Sequence, residues 1–231
     1  GALTATLSNT ALADYATLEG TANVYTISIA DAAIDADALV ALNAKTTGTI
    51  TLAGDTSISG TLANVNAVLG GAGLASVAAN LAITVTDTSI TAAEADTLAE
   101  ATTGLVTATV APSALAATNT AFVDSGGQVN NISFTLTDTT AVAADLNALD
   151  AKTTVDVDVS ALTSVTGAFS DIDALYTNTA NFIGLGNENI AATGTLTAAN
   201  VDTLRGHTTG TVTETVSNMN IGTEAVTNFD L

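Results

Sequence analysis

Few residues of this sequence could do chemistry, and their spacing narrows what that chemistry would be. His207 is the sole histidine and there is no cysteine. A His-based triad therefore has no Cys partner, and no imidazole pair or thiolate set exists for a transition metal. Neither a Gly-Lys-Ser/Thr phosphate loop nor a Gly-x-Ser-x-Gly elbow occurs. The stretch Gly184 to Asn189, GLGNEN, lacks the third glycine of a dinucleotide loop and reads as a connecting turn. What remains are carboxylate pairs: Asp35/Asp37, Asp156/Asp158 and Asp171/Asp173. On a strand, residues two apart share a face, so Asp156 and Asp158 should point together into solvent. Paired oxygen ligands suit Ca²⁺, which makes Asp156, Asp158, Asp171 and Asp173 the metal-ligand candidates. A solvated acidic strand explains the same residues without an ion, and the EF-hand and glycine-rich nonapeptide patterns are missing. No catalytic residue and no cofactor is expected; Ca²⁺ is the one candidate ion.

The cations are as informative as the acids. The chain holds 23 acidic and 3 basic residues, a formal charge of −20. Such a body cannot neutralise phosphates, which excludes nucleic acid and anionic membrane surfaces as partners. Lys45, Lys152 and His207 occupy one recurring position in the last turn of an expected helix, with Arg205 two residues before His207. Positive charge there favours the helix C-terminus and its free carbonyls, a reading preferred over an anion-binding or catalytic site.

These positions recur because the chain repeats. Asp31, Asp87, Asp138 and Thr193 open four similar stretches, at intervals of 56, 51 and 55 residues, and in each a Thr-Thr pair sits at one offset. Leu42, Leu98, Leu149 and Leu204 align, as do Leu39, Ala95, Leu146 and Val201. Between the copies, SISGTLANVNAVL (Ser57 to Leu69) matches SVTGAFSDIDALY (Ser164 to Tyr176). Each repeat thus has two halves, each a strand followed by a helix. The boundaries fall at 1–24 (a half repeat), 25–80, 81–131, 132–188 and 189–231 (truncated).

Alternation of apolar residues with Thr in ITVT, TISI, TITL, TATV, FTLT and TVTETV predicts strands with one buried face. Thr91 followed by Glu94 predicts a capping box, and Asp35 and Thr197 hold the same N-cap position. Gly48, Gly104 and Gly210 are expected in the left-handed conformation after their helices; Val155 at that place predicts a different turn. Right-handed crossovers that all advance one way put every helix on one sheet face. The expected class is therefore α/β: a single-sided repeat solenoid with a parallel sheet, in half-repeats of leucine-rich-repeat size but without that family's Asn ladder. A β-solenoid is the alternative, opposed by the helix propensity of the Ala/Leu segments. The outward Thr-x-Thr pairs make a ladder similar to the surface of ice-binding solenoids, and Thr is equally at home on any exposed sheet face.

The stretches SITAAEADTLAEATTG, LNALDAKTT and FIGLGNENIAATGTLTAANVDTLRGHTTG resemble tandem repeats in very large cell-surface proteins of marine picocyanobacteria. That resemblance implies an extracellular, cell-surface location, a structural or adhesive role, and calcium-dependent export or folding. The expected function is a spacer, surface-layer or adhesin segment; the alternative is a binding module whose Thr/Asp face takes Ca²⁺, glycan or ice. Partners are other copies or flanking repeats, without nucleic acid and without direct membrane insertion, since no apolar run reaches spanning length. The opening GALTATL and the closing apolar Val226, Phe229 and Leu231 read as uncapped ends of a longer array, or as ends that stack into a fibre.

Overall fold

The computed structural model describes residues 2–214, apart from 9, 72–73, 75–76 and 128–129. Val226, Phe229 and Leu231, and Thr215 and Val216 of TVTETV, lie outside the described residues. The chain begins with β1 (Thr4–Leu7), a short 3₁₀ turn (Leu12–Tyr15), β2 (Val24–Ile29), β3 (Ala33–Asp35) and α1 (Ala36–Asn43). It continues through β4 (Ile50–Leu52), β5 (Ser57–Gly60), α2 (Leu62–Leu69), β6 (Ala82–Val85) and α3 (Ala92–Ala101). Then come β7 (Val106–Thr109), α4 (Leu115–Ala121), β8 (Asn131–Ser133), β9 (Thr140–Val142) and α5 (Ala143–Asp150). The last part holds β10 (Val157–Asp158), β11 (Ser164–Ala168), α6 (Phe169–Thr177), β12 (Phe182–Ile183), β13 (Asn189–Thr193), α7 (Ala198–His207) and β14 (Val212–Glu214).

The architecture is α/β with parallel sheets. The strand orders are β1-β2-β4, β3-β5-β6-β7-β8, β9-β11-β13-β14 and the pair β10-β12. Among the described residues every strand pairing is parallel, in register with the strand of an adjacent unit. One strand per helix proves too simple a reading. β2 and β3 precede α1, β4 and β5 precede α2, β10 and β11 precede α6, and β12 and β13 precede α7. Between β4 and β5 the chain turns at Gly54, whose φ of 104° only glycine adopts without strain. FTLT is likewise not one strand: beyond β8, Thr135 and Leu136 make only isolated bridges to Asp158 and Ser113.

The helices form where capping and spacing predict them. Thr91 and Glu94 complete the capping box at α3, Thr197 and Asn200 complete one at α7, and Asp35 accepts from the Asp37 and Ala38 amides at α1. The repeated apolar positions point inward: Leu39, Ala95, Leu146, Leu98, Leu149 and Leu204 are fully buried, Leu42 is buried, and Val201 is partly so. Val65 and Ile172, and Val68 and Leu175, are likewise fully enclosed, each such side chain worth roughly 1.5–3 kcal/mol of burial.

The glycines after the helices do not take the left-handed conformation that their position predicts. Gly48, Gly104 and Gly210 are absent from the positive-φ residues. They are glycine because a neighbouring backbone passes over them. A Cβ at Gly48 would lie 2.2 Å from the Tyr25 carbonyl oxygen, and one at Gly210 would lie 2.4 Å from that of Glu188. Val155 does not turn differently in its hydrogen bonding: its amide donates to Thr153 Oγ1 at 3.1 Å, as the Gly48 amide donates to Thr46 Oγ1 at 2.9 Å.

Candidate functional site

The alternation of the strands leaves polar residues exposed on the sheets. β2 buries Tyr25, Ile27 and Ile29 and exposes Val24, Thr26 and Ser28. Across strands, Thr6 stands opposite Thr26 and Ser28 opposite Thr51. Asp35, Ser59, Thr84, Thr107 and Asn131 form a continuous row over β3, β5, β6, β7 and β8. The row presents a carboxylate, hydroxyls and an amide at strand spacing, about 4.8 Å. The Asn131 amide donates to Thr107 Oγ1 at 3.4 Å within it.

The acidic candidates fall on two different elements. Val157 is buried between Asp156, which is exposed, and Asp158, which is half-buried, so the β10 pair does share the outer face. Asp158 Oδ1 accepts from the Ser160 amide at 3.0 Å and from Ser160 Oγ at 2.6 Å. Asp171 sits in the first turn of α6. Asp173, on the same helix, contacts His207 Nε2 at 2.8 Å. Among the described residues no three His, Asp or Glu side chains gather to hold a metal ion.

Lys152 and His207 act on neighbouring helices. Lys152 Nζ donates at 2.6 Å to the carbonyl of Phe122, the residue that ends α4, and lies 5.8 Å from that ring's centre. His207 stacks on Tyr176 of α6, ring centres 5.4 Å apart, and ties α7 to Asp173. Behind this stack, Glu188 is completely buried. Its Oε2 accepts from the Tyr176 hydroxyl at 3.0 Å and the Gly186 amide at 2.8 Å, which fixes the loop between β12 and β13. Burial, with the Glu188 charge beside it, pushes the Tyr176 hydroxyl well above the ordinary tyrosine range. This loop is the connecting turn expected of GLGNEN, held by a carboxylate that spacing alone did not reveal.

Two recurring devices escaped the residue-level reading. The first is the Thr-Thr pair. The hydroxyls of Thr102, Thr153 and Thr208 each donate at 2.6 Å to a main-chain carbonyl of the preceding unit, those of Leu81, Ile132 and Glu188. The amides of Thr47, Thr103 and Thr154 bond the carbonyls of Asn23, Ala79 and Asn130. The second is the Asp that opens each copy. Asp31, Asp87 and Asp138 each accept at 2.6 Å from the first amide of an earlier helical turn, at Leu12, Leu62 and Leu115. The constant offset of both motifs was visible; their main-chain partners were not. Compared with known proteins, the chain matches no family model, no curated protein and no solved structure.

Proposed function

We propose that this chain is a structural repeat segment of an extracellular surface protein, serving as a spacer, surface-layer or adhesin module. On this reading it is a single-sided solenoid with helices on one face, divided into the repeats 25–80, 81–131, 132–188 and the partial ones flanking them. The observation that carries it is the reach of the bonds between units. They run from Leu12 to Asp31, 19 positions apart, up to Asp173 to His207, 34 apart, so each unit is held by its neighbours in sequence. That is the interaction pattern of a quasi-one-dimensional array. It builds length and surface from a regular unit.

The edge at β1 supports association with copies or flanking repeats. Among the described residues this strand pairs only with β2, its Leu3 is 63% exposed, and the hollow beside it is lined by Leu7, Tyr15 and Leu18 together with Asp14 and Glu19. A strand edge with exposed apolar side chains is a template for another chain. Light scattering over a concentration series tests the reading. Association should appear and should weaken in Leu3→Lys with Leu7→Lys; a strict monomer at high concentration would remove self-association from the proposal.

A further inference from the structure

We infer that the α7 end of one copy is the surface that meets the β1 edge of a second copy, so that copies join head to tail. This rests on the reading of the β1 edge as a place of association, and it names the partner surface. The argument is one of register. Among the described residues α7 packs on α6 and no helix follows it. Its core face is incomplete. α3 buries Ala92, Ala95, Leu98 and Ala99, whereas α7 buries only Leu204, with Ala198 exposed and Val201 half-buried. Among the described residues β14 pairs only with β13, as β1 pairs only with β2. Both pairings are parallel, so β14 of one copy laid beside β1 of another continues the same kind of sheet.

What α7 finds at that edge matches what α3 finds within the chain. On α3, Asp96 Oδ1 accepts from the Val123 and Asp124 amides, both at 2.8 Å, where the chain leaves α4. Counted from the helix N-caps, Asp202 is the Asp96 of α7, exposed and without a bond among the described residues. Leu12 and Leu115 open equivalent turns, since their amides go to Asp31 and Asp138, the acids that open the following repeats. Counted from these leucines, Gly20 and Thr21 stand where Val123 and Asp124 do. Both are exposed, and neither amide is bonded among the described residues. Asp202 of one copy and these two amides of the next are thus an unused acceptor and its unused donors. One turn on from Asp202, Arg205 is exposed and unpaired among the described residues, and the hollow beside β1 carries Asp14 and Glu19. With 23 acidic residues against 3 basic ones, most approaches of two copies set like charges together; this one sets an arginine against an acidic hollow. A free cationic peptide would meet Asp14 and Glu19 but leave the Gly20 and Thr21 amides without an acceptor. The contact joins two different surfaces, so it propagates from copy to copy.

Sedimentation velocity on the full chain, over a concentration series, tests this. Asp202→Lys with Arg205→Glu swaps two exposed charges and leaves the net charge unchanged; it should weaken association about tenfold or more. Asp14→Lys with Glu19→Lys should do the same from the other end, and circular dichroism checks that each variant still folds. Mixing the two variants should restore association, because each keeps the end that the other has lost. A mixture that stays dissociated overturns the inference. Association lost in Leu3→Lys with Leu7→Lys but untouched by the α7 variant also overturns it, while leaving the β1 edge as an interface between like ends. A chain that is monomeric at every concentration overturns both.

Discussion

Helices α3 and α7 begin differently from α2 and α4. At α3 the N-cap Thr91 and Glu94 satisfy each other's backbone donors within one turn, and Thr197 and Asn200 do so at α7. At α2 and α4 the N-cap residues, Thr61 and Ala114, make no side-chain cap bond. Their first amides are met instead by Asp87 and Asp138, from the next copy along the chain. A self-made cap stabilises only its own helix. A cap lent by a neighbour makes one unit's helix depend on the next unit being folded, so it converts local stability into cooperativity between units. At α6 the copy opening at Thr193 has no Asp in that place, and the N-cap Ala168 makes no side-chain cap bond.

The largest expected effect tests coupling between units directly. Thr153→Val keeps the shape but strips a hydroxyl that donates to the Ile132 carbonyl and accepts from the Ile132 and Val155 amides. Leaving such buried groups unpaired costs about 2–3 kcal/mol, read as a lower urea midpoint. Asp87→Ala should cost about 1–2 kcal/mol, and it should also broaden the transition as α2 uncouples from the following unit. Thr91→Ala should cost about 1 kcal/mol with the transition width unchanged; equal broadening by both would erase the distinction drawn here. Thr193→Asp should add roughly 0.5–1 kcal/mol by giving α6 the cap its relatives have, measured as a raised Tm.

The smallest effects concern protons and ions. The Thr91 amide, and then its hydroxyl, hold the Glu94 carboxylate below the ordinary range. Its contribution is therefore present above the ordinary glutamate value and lost as the pH falls through the lowered one. Glu94→Gln should flatten that part of an acid titration of stability by lowering the neutral-pH Tm slightly while leaving the acid end nearly unchanged. Millimolar Ca²⁺ should raise Tm beyond a matched-ionic-strength control, and Asp156→Asn with Asp158→Asn should remove the difference. Identical curves in Ca²⁺ and in the salt control would leave only screening.

The parts of this structure that the sequence disclosed are those whose causes are local. The helix at Ala92–Ala101 follows from Thr91, Glu94 and the spacing of Ala95 and Leu98, all within one segment. Strand faces follow from alternation in the same way. Gly104 was read as a helix terminator because chain order puts it just after α3. Its true constraint is the main chain at Asn80 and Leu81, which lies 2.5 Å from where a Cβ would be. The Thr-Thr clamps and the reach of Lys152 to Phe122 were hidden for the same reason: their partners are main-chain atoms, which carry no letter. Of the candidate site, the shared face of Asp156 and Asp158 was legible from a period of two. The capture of Asp173 by His207 was not, since it depends on how α6 packs against α7.

The short reach of the bonds between units also sets an order of events. A chain delivered end first, from a ribosome or through a narrow channel, ordinarily has to wait for distant segments before it can close its contacts. Here Asp138 caps the helix begun at Leu115 once 23 further residues have emerged, and His207 reaches Asp173 after 34. Each unit can therefore lock while the rest is still threaded and extended. Contacts of such low sequence separation also favour fast folding. Adding units would lengthen the time of passage without making the folding problem any harder.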